Sequence, residues 1–214
     1  MFEIEVLNRM NSSKLLDPLV FGGGSMLRLC HELNRYSVDL DFWFIKKIPQ
    51  DEYFKNISLI LNKDYEITDK QKKHFTLLFE LRSTKYPRRL KIEIRRKIEK
   101  CNYQEKIAFS KFSTKQILLK AHTLEQTMEN KIRAFLDRGE IRDCFDLEFL
   151  LRKGIELPVM DKEQLPAFEK KLSGLNNADY KVKLGSILDS NIRDFYFQDR
   201  FSFLREKLAD KLLY

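Results

Sequence analysis

The chain has 214 residues, 43% of them hydrophobic, and a net charge of +8. That length supports one large domain or two small ones with ample core, and the composition excludes a disordered chain. No apolar run is long enough to span a bilayer, and the mixed N-terminus Met1-Phe2-Glu3-Ile4-Glu5 carries no signal-like stretch. A cytoplasmic protein with no membrane partner is expected.

The basic excess is regional. Lys70 to Lys120 holds 16 Lys/Arg against 4 Asp/Glu, whereas the remainder holds 24 against 28. Charge segregated in this way fits a polyanionic partner and equally fits a solvated lysine-rich face. Cys30, Cys101 and Cys144 are odd in number and far apart, with neither disulfide nor metal-ligand spacing, so they read as reduced thiols. His31, His74 and His122 are scattered without ligand spacing and take no role.

In chain order, the pattern predicts a helix over residues 2–16, then a short strand Leu19-Val20-Phe21 stopping at Gly22-Gly23-Gly24. Ser25 stands where the next helix begins, with Met26, Leu27, Leu29, Cys30 and Leu33 on its apolar face. A strand follows over 37–45, in which Val38, Leu40 and Phe42 alternate with Asp39 and Asp41. A helix is expected over 50–61. Two strands, 74–83 and 88–97, then make a hairpin around Lys85-Tyr86-Pro87. Beyond about Lys111 the periodicity is helical, with helices over 123–136 and 142–151, a break at Pro158 and Pro166, and further helices through Leu212. The expected division is a mixed α/β domain over 1–112 and a helical bundle over 113–214.

The chemistry gathers in three places. A glycine turn opening a helix, with a serine hydroxyl beside it, can cradle phosphates on its backbone N–H groups. It is neither a Walker loop nor a dinucleotide fingerprint. Asp39 and Asp41 point to one side of their strand and repel each other unless a cation lies between them or solvent screens them. Mg²⁺ suits such oxygen donors together with substrate phosphates, and Mn²⁺ would serve as well. Glu93, flanked by Lys91 and Arg95, would complete a three-carboxylate metal site if its strand lies beside that of Asp39. Each feature alone also fits a plainer role: a tight connection, exposed strand acids, a salt bridge.

Together the blocks resemble a known family. Gly23-Gly24-Ser25-Met26-Leu27 followed by Arg35-Tyr36-Ser37-Val38-Asp39-Leu40-Asp41-Phe42 is similar to the opening motifs of the AbiEii/AbiGii toxins, nucleotidyltransferases of the polymerase-β superfamily. Lys91-Ile92-Glu93-Ile94 resembles their third-carboxylate strand. Glu129 to Phe135 and Arg142 to Leu147 resemble their later helical blocks. The likeness covers roughly residues 20–150. Departures are Met26, Phe135 and Gly22, where Ala, Leu and Lys are common, and none removes a catalytic group.

The resemblance implies a polymerase-β-like domain with a mixed sheet, followed by a helical bundle. It implies an NTP-using transferase of the EC 2.7.7 type. Gly23, Gly24 and Ser25 would grip the triphosphate, Asp39 and Asp41 would hold Mg²⁺, and Glu93 would activate the acceptor hydroxyl. Lys131 would reach the nucleotide's phosphates from the helical half, and Asp146 would line or brace the cleft. Relatives act as toxins of toxin–antitoxin or phage-defence (abortive infection) systems, so a cognate antitoxin is an expected partner. An RNA acceptor, such as tRNA, would meet the basic residues Arg88, Arg89, Arg95 and Arg96. Two alternatives are an NTP-binding protein of the same fold without turnover, and transfer to a protein or small-molecule acceptor. From the residues alone, Lys131 also fits a surface helix lysine, and Arg142 with Asp146 an i,i+4 helix pair.

Overall fold

The computed structural model describes residues 1–212. The chain forms two compact units. The first comprises Met1–Glu32 and Ser37–Thr123; the second takes Leu33–Tyr36 and the chain from Leu124 onward.

The first unit is built on one seven-stranded mixed sheet. Its strands are β1 (Leu19–Gly22), β2 (Leu40–Phe44), β3 (Glu66–Lys72), β4 (Thr76–Ser83), β5 (Tyr86–Arg95), β6 (Tyr103–Ala108) and β7 (Ile117–His122). Their order is β3-β4-β5-β2-β1-β7-β6. β2 runs parallel to β5, β1 runs parallel to β7, and the other neighbours are antiparallel. Alternation along β5 buries Leu90, Ile92 and Ile94 on one face and leaves Lys91, Glu93 and Arg95 on the other. The apolar face is covered by helices. In α3 (Gln50–Leu61), Phe54 packs on Phe79 and Tyr53 on Phe44, with ring centroids 4.9 and 5.2 Å apart. α1 (Phe2–Ser12) buries Ile4, Val6, Leu7 and Met10, and α2 (Gly23–His31) buries Met26, Leu27 and Leu29.

Three strands escape the sequence pattern. β3 and β6 close the two sheet edges and are largely polar, because an edge strand has a neighbour on one side only. β7 falls where helical periodicity was expected. Ile117, Leu119 and Ala121 are buried and Leu118 is exposed, a period of two that serves a strand between β1 and β6. The expected boundary near residue 112 therefore shifts: the sheet continues through β7, and the first unit ends at Thr123. β2 is shorter than expected and begins at Leu40, so Asp39 stands one residue before the strand.

The second unit is helical. It contains α4 (Leu124–Arg138), α5 (Ile141–Arg152), α6 (Gln164–Ser173), α7 (Ser190–Asp199) and α8 (Ser202–Leu212), with a π-helical turn at Asp179–Leu184 before α7. Gly139 takes φ +67° between α4 and α5, a left-handed turn that glycine adopts without strain. Phe135 meets Phe168 at 4.6 Å, and Leu147, Leu150 and Leu204 are fully buried. The segment Leu33–Tyr36 joins this unit through the Tyr36 N–H, which donates to the Ile187 carbonyl at 2.8 Å.

Candidate active site

The strand registers align the acids with the glycine turn. Glu93 on β5 sits opposite Asp41 on β2, and Asp41 sits opposite Gly22 on β1. One row across three strands thus ends at the N-terminus of α2, whose first turn carries no acidic residue of its own. The row lies on the face opposite the one that α3 covers.

Glycine is required twice here. A side chain at Gly22 would come within 2.6 Å of Trp43 and 2.7 Å of His122. Gly23 has φ +74°, and a methyl there would collide with the Asp41 carboxylate. Asp41 is therefore held against the first turn of α2, where backbone N–H groups lack helical partners. Ser25 in that turn is fully buried, and its hydroxyl donates to the Ser37 hydroxyl at 3.1 Å. Gly24 is buried beside it.

Lys91 is part of the same cluster. It pairs with Glu93, two residues along the same strand face. The hydrogen bond that Lys91 donates to Glu93, with the charges of Glu93, Asp39 and Asp41, outweighs burial and holds the Lys91 ammonium above the ordinary lysine range. Glu93 thus has a salt-bridge partner on its own strand rather than across the sheet. Among the described residues, no three His, Cys, Asp or Glu side chains converge as they stand on one metal position. The donor set is nevertheless all carboxylate oxygen, the chemistry that a hard divalent cation takes. An ammonium drawn to it shows that positive charge is stabilised at that point.

Two further residues flank the row. Trp43 makes an edge contact with His122, centroids 4.7 Å apart, and the Arg95 guanidinium lies 5.4 Å from the Trp43 ring centroid. Neither Trp43 nor His122 stands out in the sequence; their contacts come from β7 lying beside β1.

The four arginines expected to meet nucleic acid do not form one patch. Arg89 and Arg95 share the parity of Glu93, while Arg88 has the opposite parity. Arg89 pairs with Glu80 at 2.6 Å. Arg96 is committed to structure: its guanidinium donates to the Gln50 side chain and to the Lys73 carbonyl, each at 2.9 Å.

In the second unit, Lys131 and Asp146 belong to a buried charge network. Arg35 donates to both Asp146 oxygens, at 2.6 and 2.7 Å. Lys131 contacts Asp146 at 2.5 Å and Asp143 at 3.1 Å. Arg138 donates to both oxygens of Asp143, at 2.8 and 2.7 Å. Burial opposes the Asp146 charge, yet Arg35 and Lys131 outweigh it and hold the carboxyl at about 2. Burial likewise works against the Arg35 charge, and Asp146 more than offsets it.

Arg142 is exposed and does not share in this network, so the i,i+4 pair with Asp146 does not form. Arg35 and Asp143 lay inside the motifs without a role of their own. The available signal was periodicity: Asp143 and Asp146 fall in line with Leu147 and Leu150, and Lys131 falls among Met128, Ile132 and Phe135. The cysteines stay inert: burial pushes Cys30 up to about 12 and Cys144 well above its usual range.

A mixed sheet with an acid row at a glycine-opened helix, joined to a helical unit, defines the class as nucleotidyltransferase-like. A family model described as "Nucleotidyl transferase AbiEii toxin, Type IV TA system" matches residues 5–210. The chain belongs to the AbiEii nucleotidyltransferase toxin family. Solved structures repeat the fold. A candidate nucleotidyltransferase from Helicobacter pylori aligns over 98% of this chain and 96% of its own, with a TM-score of 0.60 and 22% identity. JHP933 from Helicobacter pylori aligns over 95% and 94%, with a TM-score of 0.52 and 21% identity. MenT4, a nucleotidyltransferase toxin from Mycobacterium tuberculosis H37Rv, aligns over 98% and 84%, with a TM-score of 0.58 and 16% identity. No curated protein sequence matches the chain. Among the described residues, no helix is long and apolar enough to cross a membrane.

Proposed function

We propose that this protein transfers a nucleoside monophosphate from an NTP to a hydroxyl of RNA, with tRNA as the leading acceptor, acting in the cytoplasm as the toxin of a toxin–antitoxin pair. The acceptor oxygen bonds to the α-phosphorus, the bond from that phosphorus to the β-phosphate bridge breaks, and pyrophosphate leaves. The observation that carries this reading is the row Gly22–Asp41–Glu93, which joins two acids to the first turn of a helix.

The α2 N–H groups at Gly24 and Ser25 bind phosphate oxygens. Asp39, Asp41 and Glu93 would hold Mg²⁺ or Mn²⁺, which would neutralise charge developing on the phosphates. Glu93 or a water beside it accepts the proton of the acceptor hydroxyl. Lys91 must leave the carboxylates for this arrangement to load. For Lys131 and Asp146, the double pairing of a buried ammonium favours a structural role over direct phosphate binding.

The test is incubation of the purified protein with each labelled NTP, Mg²⁺ and total tRNA, followed by mass analysis of RNA 3′ ends. Wild type should add nucleotide, and Asp39→Ala and Asp41→Ala should lose at least ~100-fold in rate. Tight NTP binding without transfer to RNA, protein or small molecules would support the binding-protein alternative instead.

A further inference from the structure

We propose that the β6–β7 wing of the sheet is a stacking surface for the single-stranded end of the RNA acceptor; this inference rests on the RNA reading above. The wing continues the catalytic row. Tyr103 on β6 sits opposite His122 on β7, His122 follows Ala121, which pairs with Phe21, and Gly22 and Asp41 come next across the sheet. Tyr103 therefore stands three strand spacings from Asp41, about 14 Å, on the face that carries the acids.

This part of the surface is aromatic and cationic. Tyr103 is 46% exposed, and Phe112, in the β6–β7 connection, is 70% exposed. Ile107 and Leu118 are cross-strand partners on the Tyr103 face, and both are about half exposed. Tyr103 stands at the catalytic-row end of the hairpin and Phe112 beyond its other end, with Ile107 and Leu118 nearer Phe112. The exposed large side chains thus run along the length of the strand pair and mark an extended interaction surface. Charge decides between partners. Residues 100–120 contain five lysines and one acid, Glu105, and the Lys111 ammonium lies 5.2 Å from the Phe112 ring centroid. Phe112 beside Lys111, with Lys120 on the strand face of Tyr103, suits nucleotide bases and their phosphates, since bases stack on aromatic faces while cations follow the backbone.

The test is fluorescence anisotropy with a fluorescein-labelled 12-nucleotide single-stranded RNA, comparing the wild-type full chain with Tyr103→Ala/Phe112→Ala and with Tyr103→Phe/Phe112→Tyr. These positions are exposed, so the fold should survive, and unchanged NTP affinity checks that it does. Wild type should bind the RNA. The alanine pair should weaken it ~10-fold or more, and the conservative pair should restore it. Binding of RNA by wild type and alanine variant alike would overturn the stacking surface and leave the RNA reading standing. Failure of wild type to bind RNA would overturn both. A wild-type dimer in sedimentation that the alanine pair dissolves, with RNA affinity unchanged, would assign the wing to a second copy of the chain instead.

Discussion

The two units use the same residue types in opposite ways. In the first, Asp39, Asp41 and Glu93 are half-exposed, and a lysine that water can also reach stands among them. In the second, Asp143 and Asp146 are fully buried, and the cations facing them bind in short, two-pronged contacts. Solvent access separates the roles. Exposed carboxylates can exchange one cation for another, whereas buried ones are locked to their partners, because a lone buried charge is too unstable to persist.

The largest expected effect tests that contrast directly. Asp146→Ala strands Arg35 and Lys131 without their carboxylate and should cost about 3–5 kcal/mol in urea unfolding. Asp41→Ala should change stability by less than about 1 kcal/mol while removing activity. Equal losses in the two variants would erase the distinction.

Acid should sharpen the same comparison. The Asp146 carboxyl is held at about 2 when folded, against about 3.9 for an unfolded aspartate. Its stabilisation is complete above the unfolded value, and it is lost as pH falls through the folded one. Unfolding followed between about pH 5 and pH 2 should show a decline of about 2 kcal/mol from this group, absent in Asp146→Asn.

The smallest effect concerns the exposed site. Removing the internal cation with Lys91→Gln should tighten Mn²⁺ binding by about 3–10-fold, read by Mn²⁺ electron paramagnetic resonance. Arg95→Gln, a cation on the same strand face engaged with Trp43, should have less effect. Identical shifts would mean that Lys91 acts only through the general field.

Much of the first unit was legible because its cues are local. The glycines, Asp41 and the alternating β5 announce themselves by turn chemistry and by a period of two. β3 and β6 were not legible, since edge strands exposed to water need no apolar pattern. The period of two in β7 spans only six residues before a long helix, too short to stand out along the chain, and its strand character comes from β1 and β6 on either side. Among the site residues, Glu93 depended on a condition, that β5 lie beside β2. That parallel pairing brings together segments about fifty residues apart, and no local signal specifies it.

The sequence by itself determined the family, the glycine turn and the acids, because motif spacing and local periodicity are written along the chain. Only the tertiary structure decided which charges are exchangeable and which are fixed. It placed Lys91 among the acids, committed Arg96 to Gln50, and buried Arg35 and Lys131 against Asp146. The physical reason is that burial and pairing are properties of distant segments brought together, and they set the free energy of a charge more strongly than its neighbours along the chain do.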